Sequence, residues 1–222
     1  VPSFYVKQCY VDSGIDPDRV QVVPNGVDCD RFKPEAKHLD LSTEKAFKFL
    51  FVGGTIYRKG IDILLNSYSQ AFTADDDVCL VVKSMGDNTF YKGQTAGDLI
   101  RKIQSDPKAP EVVHLTDELS GAEIAGLYTA CDCLVHPYRG EGFGMPVAEA
   151  MACDLPVIVT RGGATDDFCV DETAYFVEAD RRDIAFNEET VGQTWLFEPK
   201  VDSLIQQMNH VLNNQEEAAD KE

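Results

Sequence analysis

Glu141-Gly142-Phe143-Gly144-Met145-Pro146-Val147-Ala148-Glu149 sets one carboxylate on either side of seven residues, two of them glycine. Pro146 suits the first turn of a helix, where its missing N–H would have no partner anyway, and good helix formers follow it. The stretch therefore reads as a turn that enters a helix N-terminus. There, free N–H groups and the positive end of the helix dipole favour an anion, and Gly142 and Gly144 let backbone approach it closely. Carboxylates next to a phosphate repel it unless each faces something neutral with donors to give, and sugar hydroxyls meet that need. The residue types thus read as a site for a sugar joined to a phosphate, with Glu141 and Glu149 as hydroxyl acceptors.

A second group is cationic. Arg58-Lys59-Gly60 lies between a predicted strand over 47–52 and a predicted helix over 61–72, just after Gly53-Gly54. A guanidinium grips phosphate oxygens through a planar fork and an ammonium adds a compact charge, so the pair is a natural diphosphate clamp that needs no divalent metal. Taken alone, the pair is equally an ordinary solvated start of a helix, and Gly53-Gly54 an ordinary turn after a strand. Cys131 and Cys133 lie in an apolar run and read as buried thiols, and the reading includes no metal site.

The elements that must position these residues alternate between short β-branched runs and amphipathic stretches, the pattern of βα units in a mostly parallel sheet. Strands are predicted at 47–52, 78–83, 111–115, 133–136 and 156–160, with helices at 61–72, 98–105, 122–130 (capped by Ser120) and after the Glu141 turn. A polar connection covers 84–97. The candidate residues all fall at carboxyl ends of strands: Gly53, Gly54 and Thr55 after the first, Lys83 and Ser84 at the second, Leu115 and Thr116 at the third, the Glu141 turn at the fourth. Ligands of open parallel sheets bind in that crevice. Outside this core, 3–13 reads as a helix, 20–23 as a strand, 179–194 as a loop and 201–213 as an amphipathic helix.

With 222 residues, the chain fits a single α/β domain: an entry segment over 1–35, a Rossmann-like core over 47–178, and a C-terminal helix with an acidic tail over 195–222. A balance of 20 Lys and Arg against 38 Asp and Glu, net −18, argues against nucleic-acid partners and against direct contact with an anionic membrane. Residues 161–222 hold 15 of the acidic and 5 of the basic groups, which reads as a solvated skin. Seven cysteines, an odd number placed mostly in apolar runs, read as buried free thiols of a reducing, cytoplasmic compartment. No run approaches the ~20 apolar residues of a membrane span, and the N-terminus carries no signal-peptide pattern.

Three motifs then occur in order. Val23-Pro-Asn-Gly-Val-Asp28 with Phe32 and Pro34, the strand leading to Lys59-Gly60, and Glu141-Gly-Phe-Gly through Glu149-Ala-Met-Ala with Pro156-Val-Ile together resemble retaining glycosyltransferases of family 4. The resemblance runs from about residue 3 to 178. It implies a GT-B architecture, two Rossmann-like domains across a cleft, of which this chain is similar to the C-terminal, nucleotide-sugar-binding half. An N-terminal acceptor domain of the same protein would then be its main partner.

By the same resemblance, Glu141 contacts donor-sugar hydroxyls, the Gly142-Phe143-Gly144 backbone meets sugar and phosphate, and Glu149 accepts from the ribose. Lys59 and Arg58, with the helix N-terminus of Phe143, Gly144, Met145, Pro146 and Val147, would stabilise the departing nucleoside diphosphate. Lys83, Ser84, Leu115 and Thr116 would receive base and ribose. The implied donor is a UDP- or GDP-sugar, with no further cofactor. One position departs from the family: Gly54 stands where an Arg commonly follows the first glycine, so Arg58 or Thr55 would have to replace a diphosphate contact. The implied activity is transfer of a sugar to an acceptor hydroxyl with retention. A non-catalytic nucleotide-sugar-binding module, or a GT-B epimerase or phosphorylase, would carry the same pocket. A glycosidase pair is disfavoured, because Glu149 lies beyond a phosphate-sized site. His136 and His114, both at strand ends, read as satisfied structural histidines.

Overall fold

The computed structural model describes residues 1–84, 95–185 and 190–219. The chain enters through helix α1 (Phe4–Asp12), capped by Ser3, whose hydroxyl accepts from Val6 N–H. It then runs through an irregular segment to β1 (Phe47–Val52). From there strands and helices alternate: α2 (Ile61–Ala71), β2 (Val78–Lys83), α3 (Gly97–Gln104), β3 (Glu111–Leu115), α4 (Gly121–Thr129), β4 (Cys133–His136), α5 (Met145–Ala152), β5 (Val157–Thr160) and β6 (Tyr175–Val177). The chain ends with β7 (Ala179–Asp183), β8 (Trp195–Pro199), α6 (Val201–Asn213) and the short α7 (Gln215–Ala219).

β1 to β6 form one parallel sheet in the order β3-β2-β1-β4-β5-β6. Because side chains alternate across a strand, each central strand feeds two cores. Phe47, Phe49 and Phe51 of β1 pack with Leu80, Val135, α2 and α6 on one face, whereas Leu50, Val81 and Leu134 pack with α4 and α5 on the other. The strands are apolar on both faces, as a sheet covered by helices on both sides requires. Leu64 on α2 and Leu80 on β2 are fully buried, and truncating either to Ala costs about 2–5 kcal/mol. The α/β Rossmann-like class read from the sequence is the architecture found. Ser120 caps α4 in a full capping box, its hydroxyl accepting from Glu123 N–H while the Glu123 carboxylate accepts from Ser120 N–H.

Several expectations are corrected. The sheet has a sixth strand, β6, beyond the five predicted. Residues 20–23 form no ladder; Val23 N–H donates to the Val1 carbonyl and the Val1 ammonium donates to the Gln21 carbonyl, each at 2.8 Å, which holds them beside the N-terminus. The expected loop over 179–194 starts as strand β7, which pairs antiparallel with β8 from Ala179↔Pro199 to Asp183↔Trp195. The acidic tail is not all solvated skin, since α7 buries Ala218. Two of the seven thiols, Cys9 and Cys29, are not buried, although all seven are free. Most of the connection expected over 84–97, and residues 220–222 of the tail, lie outside the described residues. No helix among the described residues is long and apolar enough to cross a membrane.

Candidate functional site

Strand order reverses between β1 and β4, so the chain leaves their carboxyl ends in opposite directions and opens a crevice there. The two groups singled out in the sequence are the two loops that leave these ends. They touch through Gly60, whose φ of +72° is left-handed; a Cβ there would lie 1.9 Å from the Pro137 carbonyl oxygen. Only glycine permits that approach. Arg139 N–H donates to the Arg58 carbonyl at 2.8 Å, and the Arg58 guanidinium donates to the Gly140 carbonyl at 2.6 Å.

Side chains meet across this seam. Lys59 Nζ donates to Glu141 Oε1, and Arg58 Nη1 lies 3.6 Å from Oε2. His136, the last residue of β4, brings Nε2 to 3.0 Å from the same Oε1. Burial pushes the Glu141 carboxyl up, but the His136 hydrogen bond and the Lys59 charge outweigh it and hold the group well below the usual carboxylate range. Burial pushes the His136 imidazole down, which keeps it neutral near pH 7. Glu141, read from the sequence as a free hydroxyl acceptor, is thus ion-paired here with the cation read as the diphosphate clamp.

Arg139, only 3% exposed, ties the seam to its surroundings. Its guanidinium forks onto Asp62 of α2, donates to Glu198 of β8 at 2.8 Å and to the Tyr57 carbonyl at 2.7 Å, and lies 3.6 Å above the Tyr57 ring centre. Phe197 N–H of β8 donates to the Arg139 carbonyl at 3.0 Å. The β7–β8 hairpin therefore buttresses the Glu141 turn.

That turn ends in Gly144, the N-cap of α5, at φ +96°. No side chain caps the helix; Pro146 brings no N–H to its first turn, and Val147 N–H donates to the Gly144 carbonyl at 2.9 Å. Phe143 turns its ring to Phe168, centroids 5.2 Å apart, and with Phe4, Pro24, Ala148 and Met151 lines a cavity of ≈ 380 Å³. Glu149 sits in the second turn of α5. Its Oε2 accepts from Tyr128 OH at 2.8 Å, and burial pushes its carboxyl up.

Along β2 and β3, Ser84 N–H donates to the Leu115 carbonyl at 3.0 Å, and Ser84 Oγ meets His114 Nε2 at 2.9 Å. Lys83 is buried, its Nζ bonded to the Ser84 carbonyl at 2.7 Å and its pKa pushed down by desolvation. Gly53 N–H reaches the Lys83 carbonyl at 3.0 Å, which joins this group to the β1 loop. Thr116 is exposed just beyond β3. Gly54 carries no side chain, and the buried hydroxyl of Thr55 beside it has no hydrogen-bond partner among the described residues. The structure thus unites Gly53, Arg58, Lys59 and Glu141 at the switch point and sets Lys83, Ser84 and Leu115 along one flank, with Glu149 held separately by α4. Sequence reasoning missed the clamp at Arg139 and the contact of His136 with Glu141. The only signals were a cation two residues before Glu141 and a histidine five before it.

A family model described as Glycosyl transferases group 1 matches residues 46–214. D-inositol 3-phosphate glycosyltransferase 1 of Catenulispora acidiphila is 33% identical over 156 residues, 68% of this chain and 37% of that protein. The chain spans about a third of the length of the curated relatives it matches. The C-terminal domain of a glycosyl transferase group 1 family protein from Francisella tularensis superposes with a TM-score of 0.63 at 19% identity, covering 88% of this chain and 92% of that one. Anabaena HepE, solved in complex with UDP-glucose, gives 0.70 at 18% identity over all of this chain and 55% of its own. A parallel sheet with its crevice at the β1/β4 reversal, the family match across most of the chain and the shared fold lead to one conclusion: this chain belongs to the glycosyl transferases group 1 family and has the fold of the C-terminal domain of a GT-B glycosyltransferase.

Proposed function

We propose that the chain is the donor-binding half of a retaining glycosyltransferase of family 4, working within a longer protein whose N-terminal domain binds the acceptor. The observation that carries this reading is the convergence of Arg58, Lys59 and Glu141 where β1 and β4 part, beside the uncapped N-terminus of α5. Two cations and a helix N-terminus suit a diphosphate, and a carboxylate held ionised suits a hydroxyl-rich ring. In this reading Lys59 leaves Glu141 for the diphosphate as the donor enters, and Arg58 and Thr55 fill the place of the Arg absent at Gly54.

The donor's sugar–diphosphate bond breaks while a bond forms from the same carbon to the acceptor hydroxyl oxygen, whose proton passes to the departing nucleoside diphosphate. Charge growing on the departing nucleotide is stabilised by Lys59, Arg58 and the α5 N–H groups, so side chains serve where a divalent ion otherwise would. Glu149 receives the ribose, with Tyr128 setting its orientation, and Lys83, Ser84, Leu115 and Thr116 flank ribose and base. UDP is the first nucleotide to test, given the UDP-glucose held by HepE; a GDP-sugar remains the other donor of the reading. The free thiols support a reducing compartment such as the cytoplasm. The chain alone binds donor but transfers poorly.

A thermal-shift screen across nucleoside diphosphates and their sugars tests this. UDP or GDP raises Tm, and Lys59→Ala with Glu149→Ala abolishes the rise. No rise with any nucleoside diphosphate overturns the reading.

A further inference from the structure

His136 is fully buried at the end of β4, its ring stacked on Phe51 with centroids 5.7 Å apart. Its Nε2 faces Glu141, while Nδ1 is buried with no hydrogen-bond partner among the described residues. A carboxylate can only accept, so the proton of a neutral imidazole in this place belongs on Nε2, which leaves Nδ1 as a bare lone pair. The groups facing the ring are Glu141, Lys59 and, at longer range, Arg58.

Glu141 Oε1 therefore takes two donors, the His136 N–H and the Lys59 ammonium, whereas Oε2 has the Arg58 guanidinium at 3.6 Å. The two donors to Oε1 differ in one respect. Lys59 carries a charge that a diphosphate can claim; His136 is neutral and fixed by packing against Phe51 and Tyr138. When Lys59 turns to phosphate, a carboxylate without a second anchor would follow the ammonium.

We propose that His136 is a positioning residue for the donor sugar: its Nε2–H holds Glu141 Oε1 in place while Lys59 departs, so that Oε2 stays presented to a sugar hydroxyl. This rests on the reading of Glu141 as the sugar-facing carboxylate. It explains why a polar ring is buried with one nitrogen unsatisfied, at a desolvation cost that an apolar residue would avoid.

Binding of UDP and of UDP-glucose, and of GDP and GDP-mannose, is measured by calorimetry on the 222-residue chain. The affinity ratio of each sugar nucleotide to its bare nucleotide isolates the sugar's share. His136→Phe, which keeps a ring but no donor, is expected to lower that ratio about ten-fold, the scale of one hydrogen bond to a charged group, with bare nucleotide affinity unchanged. His136→Gln, which returns an N–H donor, restores most of it. As a check that needs no variant, ¹⁵N NMR of the wild-type ring is expected to show a neutral imidazole with Nε2 protonated at neutral pH. A protonated Nδ1, a sugar ratio that survives in His136→Phe, or an equal loss of both ligands overturns the inference while leaving the donor site intact. Failure of wild type to bind any nucleoside diphosphate removes the donor reading itself, and this inference with it.

Discussion

Arg139 places both terminal nitrogens on the carboxylate of Asp62, at 2.7 and 2.8 Å, from a side chain that is 3% exposed. Both oxygens and both nitrogens are used, the geometry in which a guanidinium binds most strongly. The same group reaches Glu198 and the Tyr57 carbonyl, so one side chain joins α2, β8 and the cation loop. Arg139→Ala removes the fork from the half-exposed Asp62 carboxylate, while the Tyr57 carbonyl keeps Gly60 N–H and Glu198 keeps Arg182 and the Tyr57 hydroxyl. The expected cost is about 2–4 kcal/mol in urea unfolding, with Arg139→Lys recovering only part because an ammonium cannot fork.

Gly60→Ala tests the seam between the two loops. The added methyl meets the Pro137 carbonyl and the left-handed backbone disfavours any side chain, so the expected loss is at least about 2 kcal/mol. Nucleotide-induced stabilisation should disappear in this variant even below its melting temperature, as read by calorimetry at 15 °C or so. Gly14→Ala, at a left-handed position with open space around it, serves as the control for strain alone.

Acidification should loosen the site through Glu141. Its folded pKa lies below the ordinary value of 4.5, at about 2, so the unfolded chain binds a proton first as pH falls. The stability it contributes is complete above pH 4.5 and is lost progressively as pH drops toward 2. Stability curves of wild type and Glu141→Gln, measured by urea unfolding, should therefore differ at pH 7 and converge on going from pH 5 to pH 3.

Glu149 behaves in the opposite sense. Burial raises its pKa, so carrying its charge costs the folded state stability relative to the unfolded chain. Glu149→Gln keeps an acceptor for Tyr128 OH and removes the charge. Its Tm should rise by about 2 °C, the effect of roughly 0.5–1 kcal/mol in a domain of this size, while UDP affinity falls because a ribose acceptor is weakened.

The parts of this fold that the sequence discloses are those written in local chemistry. Phe49–Val52 and Val78–Val82 are continuous apolar runs, and Ser120 with Glu123 announces its own helix. β6 is three residues long, too short to show a period. β7 reads Ala-Asp-Arg-Arg-Asp and is mostly exposed; it is a strand only because β8 lies beside it, a non-local pairing that no local propensity encodes. The candidate site divides in the same way. Glycines, the cation pair and the two carboxylates are visible as residue types, but Lys59 and Glu141 stand 82 positions apart and meet only because the sheet order puts β4 next to β1. Arg139 was invisible because its meaning depends on three partners from three elements.

The contact of Gly60 with Pro137 has a kinematic consequence. With no side chain between them and hydrogen bonds crossing in both directions, the cation loop and the Glu141 turn cannot slide past one another without breaking backbone contacts. They move as a single plate, hinged at the ends of two neighbouring strands and braced from behind by a hairpin. A push on the hairpin is therefore delivered to cations and carboxylate together, as a tilt of the plate and not as a change in its internal distances.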